Sequence, residues 1–307
     1  MAAARDYSIF DLYEFINDEQ ATVNFLQARN LIRNNEVCPR CNQILLLSPF
    51  NSNINVGYVL RCPNRNCRAR KSLIVDTYFD HLHFPLRKYI AVIYYWASQT
   101  ALRTTVEHLK LGENTLIDHF NLIRDICSWK LLQDPIILGG PDIIVQIDES
   151  VFVKAKYNIG HALLRPQRWV FGIYDTNTKK GFLTFVERRD SETLIPIIQN
   201  VVRPGSIIHS DQWAAYNSIL QLPHPQPYRH ATVNHSQHFV DPQTGVHTNN
   251  VEALWSRCKK RFKQMNGTSD NLIPSYIDEF MWRQFYGTTA SEAFDNILLH
   301  MSQRYPL

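Results

Sequence analysis

Apolar positions follow two regimes along the chain. Up to about residue 130 they recur at helical spacing. Beyond residue 141 they come as short runs of β-type residues. In EQATVNFLQARNLI the residues Ala21, Phe25, Leu26, Ala28 and Ile32 fall on one helical face, and Asp18 stands where an N-cap belongs, predicting helix over 10–35. The stretch 84–130 predicts two or three further helices, with a break at Leu109-Lys110-Leu111-Gly112-Glu113-Asn114. LLQDPIILGGPD reads as a linker. After it, DIIVQIDES, RWVFGIYD and GFLTFVERR read as strands, the last two joined by a Thr-Asn-Thr-Lys-Lys-Gly turn. SETLIPIIQNVV predicts a helix, SIIHS a strand, DQWAAYNSIL a short helix, HATVNHS a strand, and a long helix starts near residue 249. Hairpin strands followed by strand–helix alternation predict an α/β mixed sheet with helices on its faces. Asn249 or Asn250 is placed to cap that last helix, and Val251, Leu254, Trp255, Cys258 and Phe262 form its buried stripe. There is no internal repeat and no low-complexity tract.

Between the two regimes of helix lies a cysteine block. Cys38 and Cys41 form C-P-R-C, and Cys62 and Cys67 form C-P-N-R-N-C, separated by a β-like stretch. Two short-spaced pairs are the layout of a zinc ribbon, in which four thiolates close a tetrahedral structural Zn²⁺ site. Four ordinary thiols, or two disulfides in a secreted domain, are the rival readings. The opening MAAARDYSIFDLYEF lacks the apolar core of a secretory signal, which argues against disulfides. Cys127 and Cys258 fall at apolar helix positions and are expected in the core.

With 307 residues, 45% of them hydrophobic, the chain can bury two or three cores. Its formal charge of +4 is only mildly basic, so any nucleic-acid contact must come from local clusters. Arg61, Arg65, Arg68, Arg70 and Lys71 crowd the second cysteine knuckle and suit DNA phosphates, or form a solvated basic loop. Lys154, Lys156, His161, Arg165 and Arg168 form a second positive stretch, and Lys259, Lys260, Arg261 and Lys263 a third. No apolar run is long enough to cross a bilayer, so a soluble intracellular protein without membrane contact is expected.

In the helical middle, Thr104 or Thr105 can cap a first helix, Gly112 falls in a turn, and Asn114-Thr115 can start a second. That arrangement is similar to a helix-turn-helix, with Asn114, Asp118, His119, Asn121 and Arg124 on the second helix.

Three acids carry the chemistry. Asp148 closes IIVQID, Asp211 closes SIIHSD, and Glu252 sits in the first turn of the long helix. Carboxylates converging from strand ends and a helix start suit a site for two Mg²⁺ ions. Glu149 follows Asp148 on an extended strand and should face the other way, outside the metal site. His209, His235 and His247 could lie near a scissile phosphate, although structural histidines are the commoner outcome. Trp213 and Tyr216 are expected in the core, with base stacking as the alternative.

The wording around these acids (IDES at 147–150, HSDQWAAY at 209–216, VNHS at 233–236 and HTNNVEALWSRCKKRFK at 247–263) resembles the ISXO2-like transposase domain of the IS1595-type insertion sequences and the Merlin elements. An N-terminal helix and a C-P-x-C ribbon are also similar to that family. The resemblance implies an RNase H-like fold in which the first and fourth strands lie side by side, with Asp148, Asp211 and Glu252 as a DDE triad binding two Mg²⁺, or Mn²⁺ in their place. It further implies a cut-and-paste transposase acting on double-stranded DNA, at terminal inverted repeats and target, as a homo-oligomer. The alternative is a domesticated DNA-binding protein without turnover. Nuclear residence is implied for a eukaryotic host, and cytoplasm or nucleoid otherwise. The expected division is 1–37 helical, 38–80 zinc ribbon, 81–133 helical with the helix-turn-helix, 141–290 catalytic, and 291–307 a C-terminal tail.

Overall fold

The structure, a computed structural model, describes residues 7–50, 55–153, 168–222, 227–265 and 268–307. The chain divides into two compact units, one formed by residues 1–130 with 286–307 and the other by 131–285.

The first unit begins with helices α1 (Ile9–Ile16) and α2 (Glu19–Gln27). The Asp18 side chain accepts from the Ala21 backbone N–H and caps α2 as expected. Strands β1 (Leu46–Pro49), β2 (Tyr58–Arg61) and β3 (Arg70–Lys71) form a three-stranded antiparallel sheet around the cysteines. Helices α3 (Leu86–Ala97), α4 (Leu102–Leu109) and α5 (Glu113–Gln133) follow. One local expectation fails here. Ala101, not Thr104 or Thr105, precedes α4, and Thr105 is fully buried with its hydroxyl on the Ala101 carbonyl. The break between α4 and α5 covers Lys110, Leu111 and Gly112, so Gly112 falls in the turn as expected, and Lys110 takes the left-handed conformation with a φ of 53°.

A larger departure comes at the end of the chain. Residues 291–307, expected as a tail, mostly belong to a helix over Ala290–Arg304, here called α9, that begins with a Thr289–Glu292 capping box. It buries Ala293, Phe294, Ile297, Leu298 and Met301. Phe294 meets Tyr7 edge-on with ring centroids 5.3 Å apart and Tyr94 at 5.9 Å, so this last helix is core to the first unit.

In the second unit, β4 (Ile144–Val153), β5 (Arg168–Asp175), β6 (Lys180–Val186), β7 (Ile207–Asp211) and β8 (Arg229–Val233) make one sheet in the order β6-β5-β4-β7-β8. The first three strands are antiparallel, and β7 and β8 run parallel to β4. It is therefore a mixed sheet, and its first and fourth strands are neighbours as anticipated. Helix α6 (Ser191–Val201) precedes β7, a 3₁₀ helix (Ala214–Gln221) follows it, and α7 (Asn249–Gln264) and α8 (Ile273–Tyr286) come after β8. The expected linker is part of this unit: Leu138 is buried and pairs with Val202, and Gly139 donates to the Asp175 carboxylate.

Candidate metal and nucleic-acid site

The β4–β7 register sets the geometry. Ile144 pairs with Ile207, Val145 with Ile208 and Gln146 with His209. Two residues further along the same register, Asp148 stands level with Asp211. Pairing between β4 and β7 stops before that point, so both acids lie just past the last β4–β7 pair, while Asp148 stays paired with Gly172 of β5 and Asp211 with Val233 of β8. The Asp211 carboxylate accepts from the Trp213 backbone N–H at 3.0 Å, and that of Asp148 from the Glu149 N–H at 2.8 Å.

Alternate residues of β4 face α7, and each fixes part of it. Gln146 is 1% exposed, and its Oε1 accepts from the Asn250 and Val251 backbone N–H groups at 2.9 and 3.2 Å. These are orphan donors of the helix start, so a glutamine from the neighbouring strand does the capping expected of Asn249 or Asn250. Further along, Ser150 accepts from Lys259 Nζ at 2.6 Å. On β5, Gly172 lies opposite Asp148. A Cβ there would sit 2.4 Å from Trp255 Cζ2, so only glycine lets α7 approach the sheet this closely. Glu252, one helical turn before Trp255, is thereby carried to the Asp148 edge.

Glu252 is further oriented by a chain of polar groups. The buried Thr248 hydroxyl donates to Glu252 Oε1 at 3.1 Å, and His235 Nε2 donates to that hydroxyl at 2.7 Å. His247 and His209 also sit here. His247 Nδ1 lies 3.2 Å from Gln146 Nε2, and burial lowers the His209 pKa. His235 therefore borders Glu252, His247 is bonded to Gln146, and His209 pairs with Gln146 two residues before Asp211 on β7.

The charge balance at this edge is unfavourable without a cation. Burial raises the Asp148 pKa to about 7, helped by the negative charges of Glu149, Asp211 and Glu252. Crowded hard oxygen donors that resist ionising together fit a divalent cation, which would remove the repulsion. Glu149 points to the opposite face as expected. Burial pushes its pKa to about 7 as well, while the Tyr216 hydroxyl and Arg189 act in the other direction.

Among the described residues, the four cysteines of the first unit are the group with the tightest ligand geometry. The ligand atoms of Cys38, Cys41, Cys62 and Cys67 all lie within 4.8 Å of one another. Cys38 and Cys67 Sγ are 3.5 Å apart and Cys41 and Cys62 Sγ 3.3 Å, near the roughly 3.8 Å edge of a tetrahedron with Zn–S bonds of about 2.3 Å. None of the six cysteines is in a disulfide, and Cys127 and Cys258 are buried. Backbone N–H groups of Arg40 and Cys41 draw the Cys38 thiol down to about 7, whereas burial raises Cys62 to about 12. Such a set can hold one zinc ion.

The basic residues fare unequally. Arg61, Arg65 and Arg68 are exposed and line a cleft of about 480 Å³ with Ser48 and Asn64. Arg70 lies over the Phe50 ring, and Lys71 is paired with Glu36. Lys260 is exposed on α7, while Lys259 is held by Ser150. Lys154, Lys156, His161 and Arg165 lie outside the described residues, as does the Arg168 side chain. On α5, Arg124 is buried and His119 packs edge-on against Phe84 and Tyr89, which withdraws both from base reading. Trp213 corrects another expectation: it is 41% exposed, while Tyr216 is fully buried. Gln146 and Thr248 escaped the sequence reading altogether.

Residues 139–284 match the model of the ISXO2-like transposase domain. An uncharacterized transposase-like protein of Haemophilus influenzae is 29% identical over 104 residues, which cover 34% of this chain and 80% of that relative. The HTLV-2 integrase catalytic core domain solved in complex with magnesium aligns with a TM-score of 0.31 and 16% identity, over 48% of this chain and 86% of its own. A simian T-cell lymphotropic virus intasome chain aligns with a TM-score of 0.29 and 20% identity, over 58% and 67%. The strands and the motifs around the three acids thus lie within the segment that matches the ISXO2-like transposase domain, residues 139–284, just under half of the chain.

Proposed function

We propose that the chain is a DNA transposase of RNase H-like fold. Asp148, Asp211 and Glu252 would hold two Mg²⁺ ions, with Mn²⁺ able to replace them. The observation that carries this reading is the crowded carboxylate edge, where Asp148 is held near a pKa of 7 by burial and three neighbouring acids. Bound there, the ions would activate a water or a 3′-hydroxyl and stabilise the leaving oxygen at a phosphodiester. The protein's own part is to fix the acids: Asp148 by the strand, Asp211 through the Trp213 N–H, and Glu252 through Thr248 and His235. Lys259, beside Ser150, adds positive charge along the approach to the acids. In the first unit, zinc held by the four cysteines would shape the knuckle that offers Arg61, Arg65 and Arg68 to DNA phosphates. Terminal inverted repeats and target DNA are the expected substrates, and assembly on them the expected working state.

The test is a cleavage and joining assay on the element's terminal repeat DNA with Mg²⁺. Asp148→Asn and Asp211→Asn should each abolish both reactions while leaving DNA affinity equal or slightly higher, since one negative charge is removed. Normal cleavage by either variant would falsify the metal assignment. Binding without cleavage by the unaltered protein would instead favour the domesticated DNA-binding reading.

A further inference from the structure

Beside the acid edge, three side chains make an arrangement that the metal site does not use. The Arg189 guanidinium lies between two indoles, with its Cζ 3.6 Å from the Trp169 ring centroid and 4.9 Å from that of Trp213. The Trp213 Nε1–H donates to the Arg189 carbonyl at 2.9 Å, so the indole is locked in orientation as well as stacked. Its own backbone N–H is bonded to Asp211, which places the ring two residues from a proposed metal ligand. Trp169 pairs with Val151 across β4 and β5, and therefore stands at the same end of the sheet as Asp148. Despite these fixings, 41% of Trp213 remains exposed. A large, rigid aromatic held open to solvent costs hydrophobic burial that a purely structural tryptophan would recover.

Resting on the reading of this unit as a DNA-cleaving domain, we infer that Trp213, braced by Arg189 and Trp169, is a stacking platform for an unpaired base of the DNA strand at the acids. Base–aromatic stacking tolerates any sequence because every base presents a π-face, and an immobilised ring loses little entropy on binding. The neighbouring guanidinium keeps the platform positive, which suits the adjoining backbone phosphate. A platform at this place would hold a frayed or single-stranded end next to the carboxylates and leave intact duplex unaffected.

Equilibrium binding of the full chain, without divalent metal, to a blunt duplex and to the same duplex with a short single-stranded 3′ extension tests this. The unaltered protein should prefer the extended DNA. Trp213→Leu should lose about 5- to 150-fold in affinity for it, the range expected for one stacked base, with no change on the blunt duplex. Trp213→Phe, which keeps a ring but not the bond to the Arg189 carbonyl, should stay close to the parent. Equal binding of both DNAs by the parent, or a Trp213→Phe variant as weak as Trp213→Leu, overturns the platform while leaving the transposase reading intact. Failure of the parent to bind either DNA sinks that underlying reading and the platform with it. Self-association that disappears in Trp213→Leu would assign the exposed ring to a second copy, and would also overturn the proposal.

Discussion

At the scale of single residues, Gln146 ties the site together more than any acid does. One side-chain oxygen closes two N–H groups at the start of α7, and the same residue sits two positions before Asp148 on the strand. Removing it by Gln146→Leu leaves two buried donors unpaired, at a cost of roughly 1–3 kcal/mol of stability. Gln146→Glu keeps the acceptor and should recover most of that loss. Denaturant unfolding midpoints of the three proteins check the order, and a leucine variant as stable as the parent would refute the capping role. This residue could not be found from sequence, because the N–H groups it serves lie 104 and 105 positions further along the chain. Asp148, Asp211 and Glu252 were legible because each closes a local apolar run or opens a helix, which is information that a short window contains. Trp213 was misjudged for the complementary reason: an aromatic residue within an apolar run reads as core, and only the tertiary placement of Arg189 shows otherwise.

At the scale of elements, periodicity located every strand of the larger sheet and the buried stripe of α7, since both follow from which face meets the core. What periodicity could not give was the order of strands, which came only with the resemblance to a known domain. The cysteine block obeys a different logic. Its three strands are short, from two to four residues, and carry few apolar partners of their own. Strands of that length are not stable alone, and a metal bound by the four cysteines would supply the cross-link that holds them. The purified chain should therefore contain one zinc. Chelation or Cys62→Ser should release it, and amide exchange should then speed up across β1–β3 but not across β4–β8. Unchanged exchange in β1–β3 after zinc loss would show that packing alone maintains the ribbon.

At the scale of the whole molecule, the order of the sequence is not the order of the folding units. The first unit is completed by a helix nearly two hundred residues downstream of α3, while residues 131–285 form a unit of their own between the two segments. The signal for α9 was present locally, in the Thr289-x-x-Glu292 capping box ahead of an apolar run. Being terminal, it was instead read as a tail. Its burial has a calculable consequence. Ala293, Phe294, Ile297, Leu298 and Met301 are all fully buried, and the four larger side chains contribute about 1.5–3 kcal/mol each, a total of roughly 6–12 kcal/mol. That is comparable to the entire stability of a typical domain, about 5–15 kcal/mol. Truncation after Tyr286 should accordingly unfold the first unit, losing zinc and DNA affinity together. The β4–β8 sheet keeps its own core of Ile147, Phe171, Ile208, Leu254 and Trp255, and should remain protected from amide exchange. Because Asp148 and Asp211 belong to that sheet and Glu252 to α7, which packs on it, the truncated chain should bind Mn²⁺ as the full chain does. Loss of protection in β4–β8 on truncation would mean that the second unit depends on the first for its fold, and the independence argued from its separate core would fail.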